Sequence, residues 1–205
     1  MRNLAGLMVL MCLTGSAFAQ GEVESDRSEL SRIDACQDRD PGDFSPFLME
    51  CESHAGYRVM IAASEHSARL AFGDNGHREQ FEESPEIGGL YTTLGPVIEW
   101  RHREGEAEPF ANIIRWRGIL PEYDEDAGDF TGESSVVSNV LVVSALDNDG
   151  EASACHVAYI DAAEIPGANE VAHRVSARYV PGFRCGASEV MVLDLYSAES
   201  LGLLD

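Results

Sequence analysis

Arg101, Arg103, Arg115 and Arg117 lie within seventeen residues of one another in a chain whose 36 acidic residues outnumber its 14 basic ones. Every basic residue is arginine, because the sequence contains no lysine. A guanidinium presents a planar fork of donors that grips a carboxylate or a phosphate through two hydrogen bonds. Strand periodicity places Arg101 and Arg103 on one face, and Arg115 and Arg117 on one face of the next strand. A matching hairpin register would gather all four into a surface for an anionic small molecule or an acidic partner. The competing expectation is ion pairing with Glu99, Glu104, Glu106 and Glu108, since opposite charges across strands attract and exposed pairs are individually weak. Trp100 and Trp116 fall on the opposite faces and read as core rather than as stacking platforms.

His156, Tyr159 and Asp161 are the first residues to consider for general acid–base chemistry. Strict alternation turns Tyr159 and Asp161 away from His156, which predicts a structural histidine and no shared cluster. His54, His66, His77, His102 and His173 are scattered, without metal-ligand spacing on a helix. Asp147, Asp149 and Glu151 read as a hairpin turn, because the early acidic residue and late glutamate of a calcium loop are missing. Asp124, Glu125, Asp126 and Asp129 read as a solvated acidic loop. The sequence has no Gly-x-Ser-x-Gly elbow, phosphate loop or dinucleotide fingerprint. No catalytic residue, cofactor or metal site is therefore expected.

The elements that would position these residues follow from bulk composition and pattern. Arg2, the apolar run Leu4 to Leu13 and Ala17-Phe18-Ala19 follow the order of a secretory signal, predicting a signal peptide over 1–19. The apolar run is too short to span a bilayer, which takes about 20 residues. A lipoprotein reading at Cys12 is disfavoured by Met11, where a small residue belongs. Residues 20–30 read as a mobile acidic leader and 31–205 as a single globular domain. A net charge of −22 repels nucleic acid and anionic membranes. Cys36, Cys51, Cys155 and Cys185 allow three disulfide connectivities in an exported chain. Cys36–Cys51 with Cys155–Cys185 is favoured because each pair brackets one compact stretch.

Alternation predicts strands over Phe47–Glu52, Tyr57–Ser64, Ala68–Phe72, Val97–Arg103, Phe110–Leu120 and Ala154–Ala162. Tyr123–Ser135 reads as an acidic loop. Val136–Leu146 is apolar on both faces and reads as a central buried strand. Ala168, Val171, Ala172, Val175 and Tyr179 fall at helical spacing, and Pro181-Gly182 stops that helix. Val190–Tyr196 fits a strand or a helix. The fold class is α+β: a mostly antiparallel sheet with one main helix over about 168–179, disulfide-bonded.

The stretch Cys155-His156-Val157-Ala158-Tyr159-Ile160-Asp161, followed by Pro166-Gly167-Ala168-Asn169, resembles a functionally uncharacterised family of exported proteobacterial proteins. Cys51…Gly56-Tyr57-Arg58-Val59, Arg69…Phe72-Gly73 and the region of Trp100 and Trp116 resemble it too, so the likeness spans most of the chain after the signal. It departs at His66-Ser67-Ala68, where the family pattern leads to expect a Gly-Asp-like pair. The resemblance implies export and transfers no activity. The functional expectation is a periplasmic or secreted non-catalytic binding protein whose partner is an exported protein or an anionic small molecule. The alternatives are an inhibitor of a cationic hydrolase, or a hydrolase with an unrecognised site.

Overall fold

The structure, a computed structural model, describes residues 22–30, 36–39, 47–54, 57–64, 67–72, 85, 87, 89, 91–146 and 154–204. The expected signal peptide, His66, His77 and the 147–150 turn lie outside these residues. Ten strands occur among them: β1 Val23–Glu29, β2 Cys36–Arg39, β3 Phe47–His54, β4 Tyr57–Ala63, β5 Ala68–Phe72, β6 Tyr91–Arg103, β7 Ala111–Asp124, β8 Asp129–Leu146, β9 Ala154–Asp161 and β10 Met191–Leu193. Helix α1 spans Ala168–Tyr179, and a short helix α2 spans Leu195–Ser200. The fold is α+β, as the sequence predicts.

A six-stranded sheet runs β1-β6-β7-β8-β9-β10, and a four-stranded sheet runs β2-β3-β4-β5. Every pairing is antiparallel except β9 with β10. That parallel pair needs a crossover, and α1 supplies it. The central position of β8 explains its two apolar faces. Leu141 and Val143 meet the core beneath α1, while Val142 and Leu146 meet the core between the sheets.

Helix α1 covers one face of the large sheet with Ala168, Val171, Ala172 and Val175, all buried. The other face sets Ile98, Trp100, Ile114 and Trp116 against Val59, Ile61, Leu70 and Phe72 of the small sheet. Phe72 meets Trp100 edge to face, with ring centroids 5.7 Å apart, the geometry that aromatic quadrupoles prefer. Both tryptophans are therefore core residues, as expected. Disulfides join Cys36 to Cys51 and Cys155 to Cys185, the favoured connectivity. On loop entropy each stabilises the fold by about 3–4 kcal/mol.

Three stretches differ from expectation. The supposed mobile leader contributes β1, which pairs with β6 from Val23↔Arg103 to Glu29↔Val97. Its polarity is that of an edge strand, which faces water along one side. The supposed acidic loop is largely strand, because β7 continues to Asp124 and β8 starts at Asp129. The ambiguous segment near Val190 holds both elements: β10, then α2 capped by Asp194, whose side chain accepts from Ser197 N. Arg174 donates to the Leu203 carbonyl and Arg178 to the Leu201 carbonyl. Both arginines thereby tie the last residues to α1.

Candidate functional site

The register of β6 with β7 pairs Glu99 with Ile113 and Arg101 with Ala111, and a bulge then brings Thr93 opposite Arg117. Directly opposed residues share a face, so all four arginines project on the α1 side of the large sheet. Shared direction does not give them a shared environment. Arg101 is 6 % exposed. It donates to Ser25 of β1 and, from Nε, to Ser176 of α1 at 3.3 Å, and its Nη1 lies 3.4 Å from Glu99 Oε1. Arg103 is exposed, with Nη1 3.1 Å from Glu106 and its guanidinium over the Phe110 ring. These two follow the ion-pair expectation.

Glu99 is the hub of the first group. Its Oε1 accepts from Ser25 Oγ at 2.7 Å and lies 2.6 Å from His173 Nε2. Burial alone would raise its pKa; the bonds from His173 and Ser25 and the charges of His173 and Arg101 outweigh burial and lower it to about 2. The cluster fastens β1 and α1 to β6 and is structural.

Arg115 and Arg117 differ from this pair. Arg115 donates to Asn139 Oδ1 at 2.7 Å and to Asn169 Oδ1, in the first turn of α1, at 3.2 Å. Burial, and then repulsion from Arg117, lower its pKa. Neither arginine forms an ion pair with a carboxylate among the described residues. Gly95 makes the crossing possible, since a Cβ there would stand 2.9 Å from Arg115 Cβ. Two adjacent guanidiniums remain partly exposed, one of them oriented by neutral amides that leave its charge uncancelled.

On the opposite face a polar row crosses the sheet: Asn112 pairs with Ser144, and Ser144 with His156. Asn112 and Ser144 are buried, and neither polar atom of the Asn112 amide has a partner. The register slips between Val143↔Ala158 and Ser144↔His156, leaving Val157 as the extra residue of a bulge. A bulge reverses the alternation beyond it. His156 and Tyr159 therefore share a face, and His156 Nδ1 lies 2.9 Å from the Tyr159 hydroxyl. The expectation that they diverge is wrong for this reason. Burial lowers the His156 pKa to about 4, so the imidazole is neutral at pH 7. Tyr159 and Asp161 also line a cleft of about 540 Å³ walled by Ile87, Val140 and Leu193. The Asp161 carboxylate is occupied there by the backbone N–H groups of Ala163 and Glu164.

A third feature escapes sequence reasoning. β6 reaches β7 only as far as Ile119, and β9 reaches β8 only from Val140. Beyond those points β7 and β8 continue, among the described residues, as a two-stranded arm. Its Leu120, Tyr123, Phe130, Val136 and Val137 are 43–55 % exposed. Asp124 closes the tip by accepting from the backbone of Asp126 and Ala127. The apolar residues are spread among carboxylates, glycines and serines, so composition reads as loop, although Phe130 and the valines carry strand propensity. No sequence signal pairs Asn139 or Asn169 with Arg115, and only the register and the helix position bring them together.

No family model, curated protein or solved structure matches this chain.

Proposed function

We propose that the protein is an exported, non-catalytic binding protein that takes anionic groups at Arg115 and Arg117. The observation carrying this reading is that these two adjacent guanidiniums lack a carboxylate partner among the described residues, in a chain of net charge −22. Asn139 and Asn169 hold Arg115 in place without neutralising it. Its repulsion from Arg117 is relieved when an anion binds both. The bound group is a carboxylate or phosphate, of a small molecule or of an acidic exported partner. Secretion through residues 1–19 and a periplasmic or secreted location belong to the same proposal. Two disulfides support it, because they persist in oxidising compartments. The family resemblance around Cys155 supports export in the same way.

Calorimetric titration with inorganic phosphate and with a short dicarboxylate tests the site. Arg115→Ala/Arg117→Ala is expected to lose at least about tenfold in affinity, since each charge-assisted bond contributes about 1.5–3 kcal/mol. Arg103→Ala, already paired with Glu106, is expected to bind as the parent does. Equal binding by the double variant and the parent, or no binding by the parent, overturns the assignment.

One observation favours the hydrolase alternative, namely the 2.9 Å contact of His156 with Tyr159 beside the cleft. A neutral imidazole against a phenol suits general-base work. Hydrolysis of activated esters that disappears in both His156→Gln and Tyr159→Phe would support that reading over the first.

A further inference from the structure

The arm combines exposed apolar side chains with a dense set of carboxylates. Between Gly118 and Ser138 the chain carries six carboxylates, Glu122, Asp124, Glu125, Asp126, Asp129 and Glu133, and no basic residue. Interleaved with them are Leu120, Tyr123, Phe130, Val136 and Val137, each about half exposed. Tyr123 and Phe130 are cross-strand partners, with ring centroids 5.4 Å apart. They form an aromatic pair near the tip whose faces meet water on a ribbon that nothing covers among the described residues. Soluble chains seldom leave several large apolar side chains together in water unless that surface binds something.

The backbone adds a second feature. β9 pairs with β8 only from Val140 onward. The outer edge of β8 from Asp129 to Val137 therefore has no neighbouring strand among the described residues, over about 30 Å of extended chain. An open edge pairs readily with another strand. In strand addition, main-chain hydrogen bonds supply affinity and alternate side chains supply specificity.

Charge decides between occupants. A second copy would set this carboxylate-fringed ribbon against its own kind, within a molecule of net charge −22. An anionic lipid surface is repelled for the same reason. A polypeptide alternating arginine or lysine with apolar residues matches both features. Its cations meet the carboxylates, and its apolar side chains cover Tyr123, Phe130 and the valines.

We infer that the β7–β8 arm docks an extended cationic polypeptide segment by strand addition along β8. This inference rests on the reading of the protein as a binding protein, and it concerns a surface separate from Arg115 and Arg117. The carboxylate field around the arm also speeds encounter with a cationic partner, in a salt-dependent way.

The test is fluorescence-anisotropy titration of the purified, oxidised protein with a labelled ten-residue peptide alternating arginine and valine. A peptide of the same composition, with its arginines and valines in separate blocks, is the control. Tyr123→Ser/Phe130→Ser and Val136→Ser/Val137→Ser change exposed side chains, so circular dichroism and Tm are expected to match the parent. Each variant is expected to bind the alternating peptide about tenfold or more weakly, because large apolar contacts dominate such interfaces. Equal affinity for the alternating and block peptides means general electrostatic attraction and overturns the inference. So does equal affinity of parent and arm variants, or absence of peptide binding by the parent. Concentration-dependent dimerisation of the parent that both arm variants lose would make a second copy the occupant and would also overturn it. Phosphate titrations on the same preparations keep the outcomes apart: weaker phosphate binding in the arginine variant bears on the anion site, and weaker peptide binding in the arm variants bears on the arm.

Discussion

Arg101→Ala is expected to destabilise the protein by about 2–3 kcal/mol, because it removes one of the positive groups around the Glu99 carboxylate, leaving His173 and Arg27, and strips two serines of a charge-assisted hydrogen bond. Glu99 has 13 % of its side chain exposed and is held ionised by the groups around it. Removing Arg101 takes away a hydrogen bond to Ser25, another to Ser176, and the charge 3.4 Å from Glu99 Oε1. Those groups lie on β1, α1 and β6, so the loss loosens three elements together. Urea unfolding followed by tryptophan fluorescence reads the effect. Glu99→Gln/Arg101→Met removes both charges and keeps the volume, and is expected to recover most of the loss, as replacement of buried ion pairs by apolar groups often does. Arg103→Ala is expected to stay within about 0.5 kcal/mol of the parent, because its pair with Glu106 is solvated. If Arg101→Ala proved as mild as Arg103→Ala, Arg101 would be a solvated surface group, and the four-arginine surface would return as the binding site in place of Arg115 and Arg117 alone.

The four arginines show what a sequence can and cannot reveal here. Their common face was legible, since it needs only a period of two and a matched hairpin. Their division into a buried pair member, an exposed ion pair and a couple without a carboxylate partner among the described residues was not. Ser25 is 76 residues from Arg101, Ser176 is 75, and Asn169 is 54 from Arg115. Pattern within one strand carries no information about such partners. The approximate span of helix α1 was readable because its apolar stripe and the Pro181 that follows it agree. β1 was not, because an edge strand need not alternate, and its stabilising contacts, such as Trp100 Nε1 donating to Ser28 Oγ, come from another strand. The arm was hidden by composition: six carboxylates resemble a solvated loop, and only the pairing of Tyr123 with Phe130 and Pro121 with Ser134 shows that the ladder continues. The pairing of the cysteines was legible because each pair closes a short loop, of separation 15 and 30.

Acid is expected to remove stability from this protein over two separable pH windows, and the upper one belongs to His156. Its pKa lies at about 4 in the folded state against 6.5 for a free histidine, because burial penalises the imidazolium. A group whose folded pKa is depressed contributes stability at pH above the unfolded value, and loses it as pH falls through the folded value. For His156 the window therefore runs from about pH 6.5 down to about 4. At 1.36 kcal/mol per pH unit, the integrated loss is about 3 kcal/mol. Glu99 works the same way lower down, between 4.5 and about 2, so the two windows barely overlap. The parent profile also contains an opposing trend, because protonating carboxylates relieves self-repulsion in a chain of net charge −22. The informative quantity is thus the difference between the parent and His156→Gln, whose amide does not titrate and can still bond the Tyr159 hydroxyl. Unfolding free energies from urea titrations at intervals from pH 7 to 4 are expected to converge, with the parent losing about 3 kcal/mol more than the variant over that range. A constant difference would mean that His156 is solvated in the native state, with water reaching the Asn112–Ser144–His156 row between the sheets. The orphaned Asn112 amide would then have a partner, and Tyr159 would stand beside an imidazole that titrates near neutrality, the arrangement that the hydrolase reading requires. A difference confined to the predicted window makes the row part of the packed structure and leaves Arg115, Arg117 and the arm as the proposed binding surfaces.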